Sequence, residues 1–285
     1  RSNTDNLTVH IQTLFDKLSS LNAHVCIHQG FADFLKDKLR LPASYSTFNT
    51  SDDLLGQADY LLSLGGDGTF LETLHYIRNS GIPVLGINTG RLGFLANVSK
   101  EEIPAALDAL ANEKITIENR TLLDIVSPTN LFGEVHYALN ELTLLKKDSS
   151  SMITIHTSIN GNFLNSYFAD GLIVATPTGS TAYSLSCAGP LIMPDSANFV
   201  ITPIAPHNLN VRPLVISDSD TLTLKVEGRS PSYLLSLDSR NVVIDAGIEI
   251  TLRKANFGVN IVQMENRNFY TTIRNKLLWG LDRRV

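Results

Sequence analysis

The chain has 285 residues, of which 43% are hydrophobic and 18% charged, a length open to one large domain or two smaller ones. Lys and Arg number 23 against 28 Asp and Glu, giving −5 with no long charge run, which argues against a nucleic-acid partner. No apolar run approaches the ~18 residues of a membrane span, nothing at the start reads as a signal peptide, and Cys26 and Cys187 lack metal or redox spacing, so a cytoplasmic protein with no membrane partner is expected.

In chain order, Leu7, Ile11, Leu14, Leu18 and Leu21 fall on one face of an amphipathic helix. A short strand at 24–28 follows, then a helix from about Phe31 to before Pro42, and a short helix capped by Ser51 ahead of Gly56. Tyr60–Leu64 is an apolar run stopped by Gly65-Gly66, the mark of a buried strand. Helical spacing runs from Thr69 to Asn79, a strand covers Pro83–Ile87, and a further helix covers Glu101–Glu113. Such alternation implies right-handed βαβ units and a largely parallel sheet. An α/β domain usually opens with a strand, and that strand is expected outside this chain.

From about residue 115 the pattern changes. The stretches 115–126, 134–145, 152–160, 221–226 and 249–252 are short, β-branched and separated by turn residues, which predicts an all-β second domain. Helical spacing returns only at Ile273, Leu277, Leu278 and Leu281.

Two segments carry candidate chemistry. Gly65-Gly66-Asp67-Gly68-Thr69 lies between a buried strand and a helix, at the end of a parallel sheet where ligands bind. Glycines there let backbone approach a phosphate, and Asp67 would bring a carboxylate to the same place. The segment is not a P-loop, and Leu71 stands where the dinucleotide fingerprint needs its last glycine. A second Gly-rich turn, Gly86–Phe94, carries Asn88 and Arg91, and Arg91 could pair with a phosphate. The other segment is Asp170–Ser186, dense in hydroxyls and glycines, which suits recognition of a ribose or amide, with Tyr183 as a flat face for a base. The serines lack the G-x-S-x-G elbow, and the seven His residues form no metallohydrolase motif. Asn140-Glu141 interrupts an apolar strand and is either an edge or a pair of ligand contacts.

Taken together, these residues resemble the bacterial-type NAD kinase family. The matching segments are Gly65–Leu71, Gly86–Leu95, Asn140-Glu141 and Asp170–Ser186, with Pro206-His207, Arg212–Ile216 and Ser236-Leu237-Asp238 following in the family's order. The resemblance implies an α/β Rossmann-like N-terminal domain (1–117), an all-β sandwich (118–265) and a C-terminal helix (266–285) returning to the first domain. It implies transfer of the γ-phosphoryl of ATP to the 2′-hydroxyl of the adenosine ribose of NAD, with Asp67 as general base. By the same resemblance Asp67, Gly68, Asn140, Glu141, Asp170, Thr181, Ala182, Tyr183, Ser184, Leu185 and Ser186 would bind NAD. Gly65, Gly66, Gly68, Thr69, Asn88 and Arg91 are the candidates for the ATP phosphates. Mg²⁺ is expected to arrive on ATP, with no complete protein metal site named. A homodimer or homotetramer is implied. The competing readings are a lipid kinase of the diacylglycerol type, which shares the glycine turn, and a nucleotide sensor without turnover. A lipid kinase would show no NAD-dependent consumption of ATP, and a sensor would bind NAD or ATP with no turnover even with Mg²⁺.

Overall fold

The computed structural model describes residues 2–90, 93–147, 151–265 and 267–279, with only the backbone of 2–6. The chain divides into two compact units, residues 1–118 together with 260–285, and residues 119–259.

The first unit is an α/β assembly of Rossmann-like type. Its elements are α1 (Ser2–Ser20), β1 (Cys26–His28), α2 (Gln29–Leu35), β2 (Ser46–Phe48), β3 (Leu61–Gly65), α3 (Asp67–Glu72), α4 (Leu74–Ile77), β4 (Val84–Asn88), β5 (Val98–Ser99) and α5 (Ile103–Ala111). β3, β4 and β5 are parallel neighbours, and β4 is buried at all five positions, as a central parallel strand must be. Leu85, Ile87, Ile103, Leu107, Ile11, Leu14 and Phe15 share one core, so the predicted face of α1 is the one that packs.

Three departures from the sequence reading are seen, two of them with a local cause. The helix expected after Ser51 is a run of turns, because the Asp53 carboxylate accepts the amides of Asn49 and Thr50 at 2.9 Å each and holds the chain in a loop. The helical spacing of 69–79 breaks at Thr73, whose hydroxyl donates to Phe70 O at 2.6 Å, and α4 ends where Arg78 turns to φ 42°. The expected helix to Pro42 stops at Leu35, and a parallel pair β1–β2 forms instead of a lone strand.

The second unit is a β-sandwich. It contains β6 (Ile115–Ser127, entering from the first unit), β7 (Tyr137–Ala138), β8 (Glu141–Lys146), β9 (Ile153–Ile159), β10 (Asn162–Ala169) and β11 (Gly171–Ala175). A short helix α6 (Tyr183–Ser186) precedes β12 (Asn198–Ile204), β13 (Leu214–Ser217), β14 (Leu222–Glu227), β15 (Ser232–Leu237), β16 (Arg240–Asp245) and β17 (Glu249–Met264). β17 carries the chain back into the first unit, where α7 (Phe269–Leu277) follows. Leu281 lies outside the described residues. One sheet runs β13-β12-β11-β8-β15-β16, and the facing sheet of this unit runs β10-β9-β14-β17. Leu142, Leu144, Leu172, Val174 and Leu235 from the first meet Ile155, Leu224 and Ile250 from the second in a dry core. β11 is buried on both faces, since Ile173 and Ala175 point the other way, into a smaller cluster with Ile192 and Val200. By the same alternation Glu141 and Thr143 face away from the sandwich core. Among the described residues no helix is long and apolar enough to cross a membrane.

Gly86 sits on β4 with no room for a side chain, since a Cβ would lie 2.7 Å from Ala96 Cα and 2.8 Å from Leu95 O. Both obstacles are backbone and cannot rotate away. Gly86→Ala is therefore expected to destabilise the protein by about 1–3 kcal/mol or more, read as a lower urea midpoint. An unchanged midpoint would contradict this close approach.

Candidate active site

The carboxyl ends of β3 and β4 lie side by side, with Gly65 opposite Asn88 in the parallel register. Two glycine-rich turns leave the sheet at that edge. Gly65 is required by Thr69, whose Oγ1 would lie 2.3 Å from a Cβ. Gly66 and Gly68 are different. Both are exposed, and a Cβ on either would meet open space, so a ligand can come close to this backbone.

Asp67 joins the two turns. Its Oδ2 accepts the Phe94 amide at 2.8 Å, and its Oδ1 accepts those of Leu95 at 3.1 Å and Ala96 at 2.9 Å. Gly93 makes room for this, because a Cβ there would fall 1.8 Å from Asp67 Oδ1. A carboxylate has about four lone-pair positions, so one remains open, on Oδ2. Asp67 is half-buried and can present that position to a reactant. In Asp67→Asn the amide group would set N–H against N–H at one of the three amides, so the substitution bears on folding as well as on chemistry.

Asn88 is 3% exposed; its Oδ1 accepts the Gly90 amide at 2.7 Å, and its Nδ2 has no partner among the described residues. That amide is a buried donor without an acceptor at the edge of the glycine turns. Arg91 lies outside the described residues. The sequence reading missed Lys276 of α7, whose Nζ sits 5.2 Å from the Phe94 ring centroid and brings a cation to the loop that Asp67 holds.

In the sandwich unit a second set of candidates comes together. The strand breaks at Leu139-Asn140 and resumes as β8 at Glu141, so the two polar residues escape strict alternation. The carbonyl of Asn140 accepts the Thr176 amide at 2.9 Å, and Thr176 Oγ1 donates to Leu139 O at 2.5 Å. Gly179 lies against the same carbonyl, where a Cβ would come within 2.0 Å of Asn140 O. The Asp170–Ser186 segment and Asn140-Glu141 are thus one packed structure.

Glu141 is 9% exposed, its Oε2 has no partner, and its carboxylate accepts the Tyr183 amide. Burial, then the nearby Asp238 carboxylate, pushes its pKa up to about 8. Tyr183 is 41% exposed and offers its ring to solvent, and burial, then Cys187 and then Asp170 raise its hydroxyl pKa. Asp170 is paired with Lys146 at 2.6 Å. Thr181, Ala182 and Leu185 are half-buried and Ser186 is exposed. Ser184 turns inward, fully buried, with its hydroxyl 2.9 Å from that of Thr202, and its side chain is part of the packing. Cys187 is no activated thiol, since burial and then Glu141 raise its pKa. Among the described residues no three His, Cys, Asp or Glu side chains lie together as a metal site.

A Gly-Gly-Asp-Gly turn at the open edge of a parallel sheet, in a chain that continues into a β-sandwich, defines the class of kinases built on this turn. The chain belongs to the ATP-NAD kinase family: the family's N-terminal domain matches residues 14–115 and its C-terminal domain residues 139–264. It is 48% identical over 276 residues to the NAD kinase of Cytophaga hutchinsonii, covering 96% of this chain and 94% of that one. It is 46% identical over 280 residues to the NAD kinase of Bacteroides fragilis, covering 97% and 94%. The crystal structure of yeast NADH kinase complexed with NADH is similar at TM-score 0.87 and 26% identity, over 97% of this chain and 85% of that chain. An NAD kinase from Archaeoglobus fulgidus in complex with ATP is similar at TM-score 0.70 and 27% identity, over 88% and 98%.

The raised pKa of Glu141 has a signed consequence. The folded protein holds this proton more tightly than the unfolded chain does. The associated stability is therefore full below the ordinary carboxylate value of 4.5 and is lost as pH rises through about 8. Glu141→Gln, which mimics the neutral form, should flatten that loss and be the more heat-stable protein above pH 8. Parallel curves of Tm against pH for the two proteins would contradict the buried neutral carboxyl.

Proposed function

We propose that this chain transfers the γ-phosphoryl of ATP to the 2′-hydroxyl of the adenosine ribose of NAD, giving NADP and ADP. The observation that carries this reading is Asp67, a carboxylate oriented by three amides at an open glycine turn, in a chain of the ATP-NAD kinase family. The ribose oxygen attacks the γ-phosphorus as the bond to the β-phosphate oxygen breaks, and the hydroxyl proton passes to Asp67 Oδ2. The exposed backbone of Gly66 and Gly68, the Thr69 hydroxyl and the free Asn88 amide supply donors for phosphate oxygens. Gly65 shapes the turn, and Arg91 remains a proposed phosphate partner. Asn140 and Glu141 hold the adenosine, with Thr181, Ala182, Tyr183, Leu185 and Ser186 around it and Asp170 toward the nicotinamide end. Among the described residues no three His, Cys, Asp or Glu side chains lie together for a cation, and Mg²⁺ is proposed as a companion of ATP that neutralises phosphate charge. A lipid kinase or a silent sensor gives no reason for both domains of the family to match. We place the enzyme in the cytoplasm.

Incubation with NAD, ATP and Mg²⁺ should yield NADP, and no product would end this reading. Asp67→Asn should lower turnover by about 10²–10⁴. The same variant should lose about 1.5–3 kcal/mol of stability, a fall of several degrees in Tm, because one amide loses its acceptor. Turnover within a few-fold of the parent would remove Asp67 as the base.

The chain is further proposed to act as a homodimer or homotetramer. Edge strand β13 leaves Leu214 and Val215 exposed, and sheet edges of that kind are usually covered. Light scattering should give a mass well above 31.2 kDa at micromolar concentration. A fully active monomer would contradict this.

A further inference from the structure

The β15–β16 turn, Asp238-Ser239-Arg240, holds the backbone of the Asn140-Glu141 element from both ends. Asp238 Oδ2 accepts the Leu139 amide at 2.9 Å, and its Oδ1 accepts those of Asn140 at 2.8 Å and Glu141 at 3.1 Å. The Asp238 amide donates in return to Glu141 O at 2.9 Å. Arg240 reaches the preceding carbonyls, donating through one guanidinium nitrogen to Val135 O and through the other to Tyr137 O at 2.7 Å. A single turn thus reads donors on 139–141 and acceptors on 135 and 137. Asp238 reaches this position at φ 51°, a left-handed conformation that Asp tolerates better than most residues.

A buried carboxylate is costly unless several donors face it. Asp238 is half-buried, enough for desolvation to raise its pKa, and that cost is offset by amides that the strand ladder leaves free, because the strand is interrupted at 139–140. The interruption is what frees Asn140 and Glu141 to serve one ligand.

We infer that Asp238 is the positioning residue of the dinucleotide site, fixing the bend that presents Asn140 and Glu141. This rests on the proposed role of those two residues in binding NAD. The carboxylate also acts on Glu141 through its charge. The titratable groups facing Glu141 are Asp238 and, behind it, Arg240 from the turn, with Tyr183 and Cys187 from α6 and its end. Neighbouring β11 places only Ala175 opposite Glu141. Ribose hydroxyls donate best to an ionised Glu141, so NAD binding should tighten as pH rises toward 8, and Asp238 sets where that happens.

The test is steady-state kinetics of the full chain from pH 6 to 9. Asp238→Asn keeps the side-chain size but removes the charge and turns an N–H toward one of the three amides. It should raise the KM for NAD about tenfold to a hundredfold, leave the KM for ATP within about twofold, and change kcat little. The pH midpoint of the NAD KM should move down by about one unit, a shift that loosened packing alone would not produce. Equal losses for NAD and ATP with an unmoved midpoint, or an unchanged NAD KM, would overturn the inference. Should Asp238→Asn fail to fold, Arg240→Gln carries the test. It loosens the other end of the same segment with the carboxylate in place, and loss confined to NAD supports the inference while equal loss overturns it. Glu141→Ala separates the two levels. If it leaves NAD binding unchanged, the site reading falls and this inference with it; if it weakens NAD while Asp238→Asn does not, only the inference falls.

Discussion

A carboxylate that accepts three consecutive backbone amides is the interaction on which both halves of this protein depend. Asp67 does this to 94–96 in the α/β unit, and Asp238 does it to 139–141 in the sandwich. Consecutive amides aimed at one point make an anion site, and here the anion is the chain's own side chain. Each contact ties a loop to a rigid element, α3 in one case and a β-hairpin turn in the other. The arrangement is demanding because a lost amide acceptor leaves a polar group unpaired.

The glycines of the chain divide along the same line. Gly93 and Gly179 are places where the chain passes so close to Asp67 or to Asn140 that a methyl group would overlap an oxygen. Gly66 and Gly68 have nothing beside them. The first kind locks the loops, and the second leaves backbone bare for a ligand. One residue type thus does opposite work, and only its surroundings tell which.

The sandwich carries its polar residues on the outer face of one sheet. Leu142 and Leu144 take the inner face of β8, so Glu141 is turned away from the dry core yet still covered by the 176–187 segment. Burial, and then the Asp238 carboxylate beside it, make it keep its proton to higher pH than an exposed Glu would.

How much was legible in the sequence depended on whether the signal was local. The apolar run at 60–64 and the glycines behind it marked the turn, because strand burial and φ freedom are properties of a few adjacent residues. The Asn140-Glu141 pair stood out because it breaks an apolar run, and the strand is interrupted at 139–140. The break of the helix at Thr73 was not legible, since a hydroxyl that bonds back to Phe70 O has no mark in the helical spacing. The sequence marks only residues 249–252 as a strand stretch. In the fold it continues to Met264, with Asn119 and the Arg120 carbonyl filling the space beside Gly258. Asp238 was visible only as part of a short motif with no task. Its partners lie nearly a hundred positions earlier, and a hydrogen bond across that separation exists only after two strands have paired. By itself the sequence determined the class of fold, the division into an α/β half and an all-β half, and the residues capable of chemistry. The tertiary structure decided which carboxylate holds which loop, which glycine is full and which is open, and which acid keeps its proton, because those depend on neighbours that only folding brings together.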